Sequence, residues 1–216
     1  MIGTENILPT CDILASTYPI LLRNSQARLA GWFIEQKDGT VASVEYLIQQ
    51  FLSPDKRSLD LSNYNLGDKG AREVTQSPQL KRGKLRSLRL PNNNISDEGV
   101  KDIANCEYFK NLTELDLYGN VISDDGVKAI ASSPHFTRLK KLGLYGNLIE
   151  DEGAIAIAES EILTKVTHLY ISSNRVRREG IEALKKAKCR TRLCHLYVDD
   201  MDEFEYEDAL DEDDED

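Results

Sequence analysis

A strict 27-residue period runs through the middle of this chain and constrains its fold more than any other feature. Aligned on their first apolar residue, four successive segments repeat one pattern. The first carries Leu85, Leu88, Leu90, Asn93, Ile95, Asp97 and Gly99. The second carries Leu112, Leu115, Leu117, Asn120, Ile122, Asp124 and Gly126. The third carries Leu139, Leu142, Leu144, Asn147, Ile149, Asp151 and Gly153. The fourth carries Val166, Leu169, Ile171, Asn174 and Val176, followed by Glu179 and Gly180. Two partial units flank them. Upstream, Leu59, Leu61, Leu66, Asp68 and Gly70 fit a 29-residue unit in which Tyr64 stands in the asparagine position. Downstream, Leu193, Leu196 and Val198 begin a last unit. A unit this short cannot bury its own apolar face, so neighbours must stack to make one continuous core.

Each recurring residue type has a physical task. The Leu-x-Leu segment reads as a short strand whose alternate side chains point inward. The asparagine follows the strand where the chain turns, and its amide can satisfy backbone groups outside any regular ladder. Stacked, Asn93, Asn120, Asn147 and Asn174 should form a buried ladder. An aspartate two residues before glycine suits a helix start, its carboxylate capping free N–H groups. Apolar spacing then supports a helix through Val100 and Ile103, Val127 and Ile130, Ala154 and Ile157, and Ile181 and Leu184. Phe109, Phe136 and Leu163 should close each unit against the next strand.

The pattern from Lys56 to about Asp200 resembles the leucine-rich-repeat family, in particular its long, ribonuclease-inhibitor-like subtype. The resemblance implies an α/β solenoid that is curved, with a parallel β-sheet on the concave face and helices on the convex face. It also implies a binding module rather than an enzyme. The expected organisation is a helical N-terminal cap over 1–55, a solenoid of about six units over 56–198, and a disordered acidic tail over 199–216.

A solenoid must cover its terminal cores. Val41, Val44, Leu47, Ile48 and Phe51 mark an amphipathic helix that stops near Ser53-Pro54, and a second apolar helix is expected over about 19–34. Alternatively, Leu29, Trp32 and Ile34 begin a degenerate repeat, since Leu29 lies 27 residues before Lys56. At the other end, residues 199–216 hold 13 acidic and no basic residues, which accounts for the formal net charge of −10. The remainder has 24 acidic against 27 basic residues and is slightly cationic. A segment as charged as the tail cannot order alone.

Outward residues of the strands should line the concave surface. Neighbouring strands lie ~4.8 Å apart, so residues in one column are neighbours. The third position of each unit gives Ser58, Ser87, Glu114, Lys141, His168 and His195. The fifth gives Asp60, Arg89, Asp116, Gly143, Tyr170 and Tyr197. The seventh gives Ser62, Pro91, Tyr118, Tyr145, Ser172 and Asp199. Tyrosine combines a large apolar face with a polar tip and is enriched in interface hot spots. The expected protein-binding residues are therefore Arg89, Glu114, Asp116, Tyr118, Lys141, Tyr145, His168, Tyr170, His195 and Tyr197. The partner is expected to be a protein engaged by a monomer, with no small-molecule substrate, membrane or nucleic acid. The basic stretch from Arg175 to Arg192 is opposed by the neighbouring acidic tail.

No phosphate-cradling loop, nucleophile elbow or zincin motif occurs, and neither a catalytic site nor a cofactor is expected. Cys194 and His195 are consecutive on a strand and point to opposite faces, so His168 and His195 are not expected to hold a metal. Cys11, Cys106, Cys189 and Cys194 lack the spacing of a disulfide framework, and free thiols in a reducing compartment are expected. No apolar run is long enough to cross a membrane, and the first residues lack a secretory pattern. The expected location is cytoplasmic, or the host cytosol if the chain is an injected effector. Ran GTPase-activating proteins look similar in joining this long repeat subtype to an acidic C-terminal stretch, whereas acidic nuclear phosphoproteins that bind histones join shorter repeats to far longer acidic tails, and effectors of Legionella type pair eukaryotic-style repeats with glutamate-rich C-termini. No residue of those families maps onto this sequence with a defined role.

Overall fold

The computed structural model describes residues 43–188 and 192–198. Contacts divide the chain into two compact units, 1–43 and 44–216, and every described residue except Ser43 lies in the second. The expected helix over 19–34, the alternative repeat beginning at Leu29, Cys11, Cys189 and the tail from Asp199 all lie outside the described residues.

Helix α1, Val44–Phe51, precedes six short strands that alternate with five helices. The strands are β1 (Ser58–Asp60), β2 (Ser87–Arg89), β3 (Glu114–Asp116), β4 (Lys141–Gly143), β5 (His168–Tyr170) and β6 (His195–Tyr197). The helices are α2 (Gly67–Gln76), α3 (Asp97–Ala104), α4 (Asp124–Ser132), α5 (Asp151–Glu159) and α6 (Arg178–Lys188). The strands form one parallel sheet in chain order. Its register pairs Leu59, Leu88, Leu115, Leu142, Leu169 and Leu196 across the six strands. This is the repeat solenoid that the 27-residue period requires. Strands stack ~4.8 Å apart while packed helices need ~8–10 Å, so the sheet occupies the concave side of the arc.

The apolar positions of the period build the core. Leu88, Leu90, Ile95, Val100 and Ile103 of one unit are fully buried, as are their counterparts Leu115, Leu117, Ile122, Val127 and Ile130. Phe109, which ends a 3-10 turn at Glu107–Phe109, and Phe136 are the largest fully buried side chains. At the N-terminal end, Val44, Leu47 and Ile48 of α1 are buried, and the chain after α1 bridges Leu52 to Leu59. Phe51 lies 5.4 Å from the ring of Tyr64. Burial, with Asp60 nearby, pushes the Tyr64 hydroxyl up to about 12.

Two polar ladders tie the units together. The asparagine ladder forms as expected for Asn93, Asn120 and Asn147, which are buried, whereas Asn174 is half-buried near the end of the array. Each amide joins its own turn to the preceding unit. Asn120 donates to the carbonyls of Leu90, Leu117 and Tyr118, and its oxygen accepts from the N–H groups of Asn93 and Ile95.

The aspartates correct the sequence reading. They do not cap the helices they begin; Ser96 and Ser123 do so for α3 and α4. Each carboxylate reaches across to cap the helix of the following unit. Asp68 accepts from Ser96 N at 2.7 Å, Ser96 Oγ at 2.7 Å and Gly99 N at 3.1 Å. Asp97 accepts from Ser123 N at 2.8 Å, Ser123 Oγ at 2.6 Å and Gly126 N at 3.0 Å. Asp151 accepts from Arg177 N and Gly180 N. The repeated glycine leaves room for this approach, since a Cβ on Gly126 would sit 2.5 Å from Asp97 Oδ1. Burial alone would raise the Asp68 carboxyl, but the three hydrogen bonds from Ser96 and Gly99 outweigh it and hold it below the usual carboxylate range.

Candidate protein-interaction face

The parallel register delivers the outward columns as neighbours. Ser58, Ser87, Glu114, Lys141, His168 and His195 form one row, and Asp60, Arg89, Asp116, Gly143, Tyr170 and Tyr197 form the next. The seventh-position residues follow the strands at the point where each chain turns away. Because the inward leucines of β1–β5 are locked in the core and Leu196 of β6 is half-buried behind them, this face is a display surface whose spacing is set by the sheet.

Its two halves differ chemically. Across β1–β3 the face is charged and net acidic, with Asp60, Glu114 and Asp116 against Arg89. Arg89 lies between two carboxylates, 3.4 Å from Asp60 and 3.4 Å from Asp116. These are exposed ion pairs, worth at most ~1 kcal/mol, and they leave Arg89 and Asp116 largely neutralised. Asp116 also accepts from Tyr118 N. Glu114 and Lys141 are register partners on β3 and β4.

Across β4–β6 the face is aromatic and cationic. The Tyr118 and Tyr145 rings lie 5.1 Å apart at 51°, at the margin between the halves. Tyr170 and Tyr197 lie 4.6 Å apart and nearly parallel at 6°. His168 and His195 stack at 4.4 Å, and His168 lies 6.5 Å from Tyr170. Four aromatic rings on β5 and β6 therefore make one platform, separate from the Tyr118–Tyr145 pair. Aromatic pairs of this kind contribute ~0.5–1.5 kcal/mol beyond their burial, so part of the role of these rings is to hold one another upright. They nevertheless stay open to solvent, with Tyr118 at 40%, Tyr145 at 41%, Tyr170 at 36% and Tyr197 at 47% exposure. Partial burial, with His195 and Lys141 beside it, lowers the His168 imidazole below its ordinary value. Its Nδ1 sits 2.9 Å from Thr167 Oγ1.

Two further features shape this face, the second of which the sequence reading missed. Gly143 interrupts the fifth-position row between Asp116 and Tyr170, and a Cβ there would stand 2.7 Å from Asp116 Oδ1. The gap separates the two halves. The second feature is a cationic rim where the chain enters the sheet. The residue before each unit's first apolar position is Lys84, Asn111, Arg138, Lys165 and Arg192, at the same 27-residue spacing. All four cations are exposed. The signal for it is a column just outside the strand segment, one residue before the first repeated apolar position.

Among the described residues, no group of three His, Cys, Asp or Glu side chains is placed to hold a metal ion. Cys106 and Cys194 are free thiols, the first buried and the second exposed. Burial raises the Cys106 thiol. An apolar hollow lined by Ile157, Leu163, Val166, Leu169, Leu184 and Leu193 lies between the last units and belongs to the core. No helix among the described residues is long and apolar enough to cross a membrane.

Comparison with known proteins gives the same description of the repeats. Residues 84–104, 110–131, 137–158 and 163–185 match the family described as Leucine Rich repeat. No curated protein matches the chain. Among solved structures, an internalin (inlF) from Listeria monocytogenes is similar at 22% identity and a TM-score of 0.35. That match covers 60% of this chain and 37% of the internalin chain.

Proposed function

We propose that this chain is a leucine-rich-repeat protein acting as a non-catalytic binding module that holds a protein partner on the concave face of its sheet. The observation that carries the reading is the set of exposed, paired tyrosines on that face. A rigid sheet supplies aromatic anchors with little left to order on binding, which lowers the entropic cost of association. Tyr118, Tyr145, Tyr170 and Tyr197 are the anchors, His168 and His195 extend the platform, and Glu114 and Lys141 contribute charge. Arg89 and Asp116 act chiefly by fixing the charged half of the face. The partner is a protein rather than a small molecule, because the face is open.

The finer assignments are of the same kind. The 27-residue period with a helix in nearly every unit supports the ribonuclease-inhibitor-like subtype. The free thiols of Cys106 and Cys194 support a reducing, cytoplasmic setting. We take the functional state to be a monomer.

The test is affinity capture with partner identification, comparing the intact chain with a Tyr118→Ala/Tyr145→Ala variant of unchanged circular dichroism. A partner retained by the intact chain and lost by the variant supports the reading. A partner bound equally by both, and equally by Tyr170→Ala/Tyr197→Ala, overturns it.

A further inference from the structure

Resting on the concave-face reading above, we propose that the acidic segment 199–216 folds back onto the C-terminal half of that face, occupying in cis the surface offered to a partner. The surface that receives it is the platform of His168, Tyr170, His195 and Tyr197, with Lys141 beside it.

Three observations converge on this occupant. The first is charge. The strands β4–β6 present no carboxylate on the concave face, whereas β1–β3 present Asp60, Glu114 and Asp116. The adjacent rim adds Arg138, Lys165 and Arg192, and among the described residues none of these forms an ion pair with a carboxylate. Some cations on the helix side are already paired, since Lys101, Lys128 and Arg175 each lie against a glutamate. A polyanion entering this region is attracted to the β4–β6 half and repelled from the β1–β3 half.

The second observation is composition. Segment 199–216 carries 13 acidic and no basic residues, with Met201, Phe204, Tyr206 and Leu210 set among them. Acid alone would suit a counter-charge to the rim. Acid interleaved with apolar and aromatic side chains suits a surface that is both cationic and aromatic, where rings can stack and carboxylates can meet Lys141 and the rim.

The third is position. Asp199 follows Val198 directly after β6, so the segment starts at the edge of the platform. Residues 199–204 span up to ~20 Å when extended. The distance from β6 to β4 is two strand spacings, about 10 Å. Phe204 therefore reaches any ring of the platform without displacing the sheet. The covalent link also gives the segment an effective concentration in the millimolar range, so even weak contacts keep it in place. A partner that displaces it must offer the same chemistry, an acidic stretch bearing aromatic or aliphatic anchors.

The experiment is NMR on the full isotope-labelled chain at about 0.1 M and about 1 M salt, a change that shortens the Debye length from ~10 Å to ~3 Å. Expected are nuclear Overhauser contacts from Met201, Phe204 or Leu210 to the rings of Tyr170, Tyr197 or His195. The amide shifts of 199–216 should move toward unstructured values at high salt and in Lys141→Glu/Lys165→Glu. The shifts of β5 and β6 backbone amides report that the variant is folded. Tail amides at unstructured positions at low salt overturn the proposal. So do contacts to α6 in place of the platform, or contacts whose intensity grows with protein concentration, which would mean exchange between copies. These resonances are read without any partner, so failure here is distinct from failure of the capture experiment.

Discussion

Replacing Gly126 by alanine should destabilise the protein, although the same change in an ordinary helix stabilises it. Alanine gains ~1 kcal/mol over glycine in a helix interior. Here a Cβ would lie 2.5 Å from Asp97 Oδ1, 2.7 Å from Ile122 Cγ2 and 3.3 Å from Asp97 Cα. The Asp97 carboxylate must retreat, and it is the group that accepts from Ser123 N, Ser123 Oγ and Gly126 N. Losing a cap of this kind costs ~1–2 kcal/mol, and forcing a methyl into a filled space costs ~1–3 kcal/mol. Set against the propensity gain, the net expectation is a loss of about 2 kcal/mol. Urea unfolding followed by circular dichroism measures it, with the slope checked against the parent protein. Amide exchange in α4 provides the local reading, since a repeat array need not unfold in one step. The Asp97→Ala background supplies the control. With the carboxylate gone, much of the clash goes too, and the double mutant should be ~1–2 kcal/mol less damaged than the sum of the single changes. A neutral or stabilising Gly126→Ala, or strict additivity with Asp97→Ala, would refute the idea that this glycine exists to admit the neighbouring carboxylate.

Three further expectations follow from the same geometry. Asn120→Leu keeps the volume but orphans the buried N–H groups of Asn93 and Ile95, at ~1–3 kcal/mol each, and should cost more in urea unfolding than Asn174→Leu at the half-buried end of the ladder. The Asp68 carboxyl is held below its ordinary 3.8, so its contribution is complete at neutral pH, begins to fade as pH falls below that unfolded value, and is lost once the depressed folded value is passed. An NMR titration of the Ser96 and Gly99 amides that showed a midpoint at or above 3.8 would contradict this. Exposed Cys194 should be alkylated well before buried Cys106, whose thiol is raised by burial, and peptide mapping of partly modified protein reads the order directly.

Much of the architecture was legible because a repeat states its own register. Once Leu88, Leu115, Leu142 and Leu169 occupy the same position of a 27-residue unit, a parallel ladder of those leucines is the arrangement that buries all of them. Their outward neighbours then fall into rows, and the proximity of Tyr118 to Tyr145 and of Tyr170 to Tyr197 follows from strand spacing alone. The cationic column from Lys84 to Arg192 was equally present in the sequence, but it lies outside the strand positions whose facing the repeat dictates.

Sequence by itself therefore determined the period, the strand register, the core and the membership of the concave face. Only the tertiary structure decided which neighbour each polar group serves. Asp97 is a helix-start residue by sequence, yet its carboxylate bonds to Ser123 and Gly126 of the next unit. Arg89 reads as a free binding residue, yet Asp60 and Asp116 flank it on adjacent strands. The reason is translational. A repeated residue lies one period from its copies along the chain but one strand spacing from them in space. A pattern in one dimension cannot distinguish a bond made within a unit from the same bond made to the unit stacked against it.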